Sequence, residues 1–140
     1  MIIFLESLAV VFLAIGWWIA FRSYPSLPER IPVHFGISGE ADGWGGRWMI
    51  FLMPLIATLI FALEWFLFSR AVGSPKMPTT MNLPLHFLLL ELTGLFTYIT
   101  WRISEVALER VNGLGVWFLP VVMLGMAGTI AWMVIAGKSH

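Results

Sequence analysis

The sequence predicts an all-α membrane protein, built as a four-transmembrane-helix bundle with an ordered Pro/Gly-rich loop between helices 1 and 2. Of its 140 residues, 59% are hydrophobic and 11% are charged, whereas a soluble domain carries about 25% charged residues. The apolar residues form four stretches, each near the roughly 20 residues that cross about 30 Å of hydrocarbon. A long segment rich in Pro and Gly separates the first two stretches.

The four stretches predict one membrane domain spanning residues 1–140, with helices at about 2–21, 48–68, 85–111 and 114–136. Backbone groups cannot stay unpaired in lipid, so these stretches must be helical. The first stretch lacks a basic start and a small-residue cleavage site, so we expect a retained helix rather than a signal peptide. The segment from Arg70 to Pro84 is predicted as a linker, and Asn112-Gly113 as the cap of helix three.

Four crossings place both termini on the same side of the cell membrane and the long loop on the other. Most tryptophans are predicted near the loop side, as interfacial anchors: Trp17, Trp18, Trp44, Trp48, Trp101 and Trp117. Orientation stays undetermined. A small excess of arginine on the loop side favours a cytoplasmic loop, whereas an even number of helices favours cytoplasmic termini.

Composition excludes several classes of function. The chain has no cysteine and a formal net charge of zero, which excludes thiolate-ligated metal sites and gives no reason to expect nucleic acid as a partner. It contains no G-x-S-x-G, H-E-x-x-H or phosphate-binding loop. We therefore expect no catalytic residues, no cofactor and no enzymatic activity.

The loop from Tyr24 to Arg47 carries the most distinctive local sequence. Prolines stiffen its first half, where residues 31–35 are predicted to be extended. Glycines in the second half permit tight turns, and Asp42-Gly43 is a turn signal. This mixture predicts a defined shape rather than a flexible tether.

The run L-P-x-x-I-P-x-H-F-x-x-x-G-x-x-D-x-W-G spans this loop from Leu27 to Gly45. It closely resembles the bacterial membrane family called domain of unknown function 1648, which also forms the N-terminal part of immunity proteins against a sporulation-delaying toxin. The resemblance implies a multi-pass protein with a role in immunity or signalling. The motif residues are Leu27, Pro28, Ile31, Pro32, His34, Phe35, Gly39, Asp42, Trp44 and Gly45.

His34 and Asp42 are the ionisable members of this motif, and a turn between them would bring them together. In a functional interpretation, His34 binds a ligand or metal, or changes its charge near neutral pH. In a structural one, His34 bonds loop backbone and Asp42 caps the turn. A metal site would need about three protein ligands, so Glu29 or Glu40 would have to complete it. Both interpretations stay open, and no metal is assigned.

A second candidate site lies within the membrane, where a charged group costs roughly 2.5–3.5 kcal/mol. Counting residues places three carboxylates about 8–10 Å inside the face of the termini, with a histidine nearer water. This candidate ion or proton cluster consists of Glu6, Glu64, His86 and Glu91. The alternative is three separate carboxylates, with Glu6 and Glu64 reaching the interface and Glu64 pairing with a basic residue, Arg70 or Lys76.

Helix three carries a polar face at spacings of three and four, with an adjacent stripe of Thr and Ser. We expect this side to face protein or a crevice rather than lipid. The face comprises Glu91, Gly94, Tyr98, Arg102, Glu105 and Glu109, and the stripe Thr93, Thr97, Thr100 and Ser104. Arg102 is expected to pair with Glu105 or to meet the long loop.

Three functions remain after these exclusions. The first is a non-enzymatic component that binds a peptide or protein partner, in immunity or signalling. The second is a proton- or cation-coupled transporter component that uses the intramembrane carboxylates and needs a homo-oligomer. The third is an accessory subunit of a larger membrane complex. All three share the lipid bilayer as a partner.

Overall fold

A computed structural model describes residues 1–71 and 79–138, with side chains for residues 1–67 and 82–138. It contains four helices: α1 (Ile2–Ser23), α2 (Leu52–Ala71), α3 (Thr79–Ala107) and α4 (Phe118–Lys138). Each is long and apolar enough to cross a membrane, which confirms the predicted fold class. The linker predicted between Arg70 and Pro84 lies largely outside the described residues.

The loop between α1 and α2 forms a two-stranded antiparallel hairpin, of which the sequence predicted only one extended segment. Its strands are β1 (Arg30–Phe35) and β2 (Ala41–Gly46), and irregularities in the register leave His34 opposite Gly43. Gly39 closes the tip with φ of 81°, a backbone conformation that glycine adopts without strain. Short 3₁₀ turns join the hairpin to both helices.

The hairpin is packed onto the ends of the helices as part of a hydrophobic core. Leu27 and Ile31 from the loop lie buried against Ala20 of α1 and Ile103 and Ala107 of α3. Further apolar side chains surround this cluster, Val33 and Phe35 of β1 among them. Burial of its apolar residues therefore gives the loop a defined shape. The proline and glycine content of the loop predicted such a shape from the sequence.

The bundle is organised around α3, which packs against α1, α2 and α4, whereas α4 packs mainly on α3. The Thr/Ser stripe of α3 is buried, as expected, in all four of its members. Thr97 donates a hydrogen bond of 2.8 Å to the carbonyl of Phe12 in α1. Thr93 bonds carbonyls of its own helix instead. The stripe therefore serves close packing between helices.

The predicted boundaries of the third and fourth helices were wrong. Helix α3 begins at Thr79 and contains Pro84, which the sequence had placed at the end of a linker. It ends at Ala107 rather than 111, because Glu109 adopts φ of 58° and the N–H of Arg110 bonds the carbonyl of Glu105. This is a Schellman ending, and it replaces the cap predicted at Asn112-Gly113.

The turn before α4 is held by hydrogen bonds to α3 and to the hairpin tip, which is why the helix begins at Phe118 rather than at 114. The N–H of Leu114 donates to the carbonyl of Gly39 at the hairpin tip, at 2.8 Å. Tyr98 donates to the carbonyl of Leu114 at 2.7 Å, and Arg102 donates to that of Gly113. Among the described residues, Arg102 hydrogen-bonds this turn and not its expected partners, Glu105 or the long loop.

Candidate functional site

The motif residues of the loop divide into a buried set and an exposed set. Leu27, Ile31 and Pro32 are buried and hold the hairpin on the bundle. A side chain at Gly45 would collide with Met49, so this glycine permits close packing. The polar members point the other way, and they give the outer surface of the hairpin its chemistry.

His34 and Asp42 form a direct pair on that outer surface. The Nδ1 atom of His34 lies 2.5 Å from Oδ1 of Asp42, and the two side chains are 72% and 53% exposed. A carboxylate oxygen only accepts, so Nδ1 carries the proton and Nε2 is the second ring nitrogen available for a partner. The structural interpretation supposed that His34 bonds the loop backbone. Its Nδ1 atom instead bonds the side chain of Asp42.

The pair does not extend into a metal site. Among the residues that the structure describes, no group of three or more His, Cys, Asp or Glu side chains could hold a metal ion. Neither Glu29 nor Glu40 joins His34 and Asp42 to complete the three ligands that a metal site would need. The arrangement is suited to hydrogen bonding with a partner molecule through an oriented imidazole.

Inside the membrane region, Glu6 of α1 meets His86 of α3. His86 is 2% exposed, and its Nε2 lies 3.1 Å from Oε1 of Glu6. Its Nδ1 lies 2.6 Å from the carbonyl oxygen of Asn82 and so must donate. The contact to Glu6 therefore joins either imidazolium and carboxylate or neutral imidazole and carboxylic acid. The pair is neutral overall in both forms, which lowers the cost of burying it.

Glu64 of α2 completes a group of three with this pair. Glu6, Glu64 and His86 line one small cavity, which has room for about one water molecule. The Oε1 atom of Glu64 is buried and lacks a hydrogen-bond partner in the described part of the chain. The alternative partner Lys76 and the side chain of Arg70 lie outside the described residues. Helices α1, α2 and α3 thus contribute one ionisable group each.

Glu91 does not join this group, contrary to the predicted four-membered cluster. It lies five residues after His86 on α3, so the two side chains point about 140° apart around the helix. Its Oε1 instead accepts a hydrogen bond of 2.9 Å from Thr129 of α4. The four-membered cluster was predicted from depth along the helices alone. Glu91 and His86 point in different directions around α3, and this difference separates them.

Glu91 lines a larger crevice between α3 and α4, with a volume of about 460 Å³. The sequence signal for it was the polar face of α3, since Glu91, Gly94 and Tyr98 all line the crevice. Its other wall was not predicted, because the spacing of α4 residues gives no polar face. The lining residues from that wall are Trp117, Phe118, Val121, Val122, Gly125 and Met126.

Comparison with known proteins finds a similarity in the first part of the chain. Residues 11–58 match the family model described as "Domain of unknown function (DUF1648)". An uncharacterized protein of the archaeon Archaeoglobus fulgidus is 28% identical over 85 residues, which is 60% of this chain and 46% of the relative. The chain therefore spans about half the length of that relative. No solved structure matches the chain.

The matched residues run from the middle of α1, through the hairpin, into α2, and they contain the whole motif from Leu27 to Gly45. The similarity to the family of domain of unknown function 1648 thus covers 48 of the 140 residues of the chain.

Proposed function

We propose that the protein is a non-enzymatic component of the cell membrane that binds a peptide or protein partner at its hairpin, in an immunity or signalling role. The observation that carries the proposal is the exposed His34–Asp42 pair on a hairpin whose other side is buried. A surface held in one conformation loses little entropy when a partner binds.

The surroundings of the pair support recognition of a partner. Ile37 at the tip is 91% exposed, and Trp44 and Trp48 are exposed nearby in sequence. Exposed aromatic and aliphatic side chains beside an oriented polar group are the usual anchors of binding surfaces. The loop motif resembles a domain that also forms part of toxin immunity proteins, and this resemblance is the reason to choose a peptide toxin as the partner.

The experiment is a survival assay in cells that depend on the protein for resistance to such a toxin. Wild-type protein should protect, and His34→Ala and Asp42→Asn should each reduce protection at least tenfold in toxin concentration. Glu91→Gln is the matched control, since it alters an ionisable group remote from the hairpin and should leave protection unchanged. Full protection by both hairpin variants would refute the proposed role of the pair.

Binding is measured separately from survival with a photoreactive amino acid at position 37. Crosslinking to the toxin should occur there and should fall in the His34→Ala background. The same amino acid at Leu124, an exposed residue of α4, is the control. Crosslinking of equal strength at both positions would mean that the toxin is only dissolved in the membrane.

A second function, a proton- or cation-coupled transporter component, is favoured by the group of Glu6, Glu64 and His86. These residues join three helices around one small cavity, and Nε2 of His86 lies 3.1 Å from Oε1 of Glu6. Proteoliposomes with an internal pH dye test it. Glu64→Gln should abolish proton flux, whereas Glu91→Gln should not, because Glu91 lies on another face of α3. Absence of flux in the wild type would remove this function.

A further inference from the structure

The crevice between α3 and α4 has the dimensions of a ligand site that neither proposed function uses. Its volume of about 460 Å³ falls within the roughly 300–1,000 Å³ typical of small-molecule pockets. Its lining is almost wholly apolar, and Glu91 is the one ionisable side chain among the described residues that line it. Such a lining selects a hydrophobic molecule that carries a single polar group.

The state of Glu91 indicates which polar group that is. One carboxylate oxygen accepts from Thr129, while the other, Oε2, is buried and has no partner among the described residues. A carboxylate oxygen left unpaired in apolar surroundings is unfavourable. A donor that also carries a positive charge would satisfy both the hydrogen bond and the charge, which points to an ammonium group.

The shape of the crevice sets the length of the ligand. From Glu91 to Tyr98 the rise along α3 is about 10 Å, and both residues line the crevice. The rings of Tyr98 and Phe118 are stacked at 5.4 Å with an interplanar angle of 11°, so this part of the wall is preformed. Trp117 at the same end is 75% exposed.

We propose that this crevice binds a hydrophobic primary amine about 10 Å long, with its ammonium group at Glu91 and its hydrocarbon along Tyr98 and Phe118. Gly125 lies beside the polar end, because a Cβ atom there would be 3.4 Å from Oε1 of Glu91, an ordinary contact distance. A larger side chain at this position would fill the space beside the carboxylate. Gly128 has open space at its Cβ position, which makes it a matched control.

The experiment measures saturable binding of radiolabelled octylamine to the full chain in lipid nanodiscs, with empty nanodiscs subtracted. Octanol, of nearly equal size but uncharged, is the comparison ligand. We expect one octylamine per chain, bound at least tenfold more tightly than octanol, because hydrogen bonds to charged groups are the stronger ones. Glu91→Gln should abolish this preference, and Gly125→Leu should abolish binding, while Gly128→Leu should leave both unchanged.

Equal binding of octylamine and octanol would overturn the proposal, since the crevice would then accept any lipid chain. A preference that survives Glu91→Gln would overturn it too. If Gly125→Leu fails to fold, as judged by helix content and gel filtration, Glu91→Gln decides alone, because it keeps the size of the side chain. The site is independent of the hairpin, so His34→Ala should bind octylamine as the wild type does.

Discussion

Replacing Ile31 by alanine should release the hairpin from the helices while leaving the membrane spans in place. Ile31 is 0% exposed and lies in the cluster formed with Ala20 and Ile103. It belongs to β1, whose attachment to the bundle depends on this burial. The substitution therefore acts on the equilibrium between a docked and an undocked hairpin.

The expected magnitude follows from the three carbon atoms that are lost. At about 0.8 kcal/mol per buried methylene, their transfer is worth about 2.4 kcal/mol. The cavity left behind adds to this, which places the total near 3 kcal/mol, within the roughly 2–5 kcal/mol found for such truncations. Since each 1.4 kcal/mol is a factor of ten, the undocked population should rise about 100-fold.

Hydrogen exchange of the protein in nanodiscs, followed by mass spectrometry, measures this change. Amides of the hairpin should exchange up to about 100-fold faster in Ile31→Ala, because exchange follows the free energy of local opening. Ile37→Ala makes the same chemical change at a residue that is 91% exposed and should have no effect. Equal exchange in the two variants would refute the conclusion that the loop is part of the core.

Three further substitutions test particular contacts. Gly113→Ala would place a Cβ atom against the carbonyl of Gly39, so we expect the hairpin tip to detach, seen as faster cleavage there by an added protease. Glu109→Gly should raise the free energy of unfolding in detergent by about 1 kcal/mol, because glycine tolerates the positive φ found there; a loss of stability would count against the helix ending described. Trp17→Phe removes a hydrogen bond of 3.0 Å to Thr58 and should cost about 0.6 kcal/mol in the same assay, whereas a cost of several kcal/mol would mean that ring packing dominates.

The membrane helices were predictable from hydropathy because lipid leaves a chain few alternatives. The residues at which these helices begin and end were less predictable. Asn112-Gly113 had the better capping sequence, yet Glu109 takes the left-handed conformation that ends α3. The reason is tertiary, since Gly113 and Leu114 are committed to bonds with Arg102 and the hairpin tip.

The residue composition of its two strands made the hairpin hard to predict from the sequence. Strand β2 reads Ala-Asp-Gly-Trp-Gly-Gly, and glycine and aspartate are depleted in strands. Strand β1 contains Pro32, which donates no backbone hydrogen bond. Such strands form because burial of Ile31 and its neighbours stabilises them. The local sequence of the strands does not predict that tertiary burial. The pairing of His34 with Asp42 depends on the same fold.

For the intramembrane sites, counting residues along the sequence predicts only part of the geometry. Depth along each helix was enough to group Glu6, Glu64 and His86, because depth follows from rise per residue. Depth could not separate Glu91, which the five-residue spacing from His86 turns about 140° around α3. That angular difference was readable from the sequence, but the prediction used depth alone. The crevice was missed because it arises between two helices whose packing the sequence does not specify.

The buried face of the hairpin bears on what residues 11–58 can do when separated from the rest of the chain. Part of the cover over Ile31 comes from α3, through Ile103 and Ala107, and both lie beyond the end of the matched segment. A fragment that stops at residue 58 would expose that apolar surface to water. In this chain the segment therefore depends on α3 for part of its core.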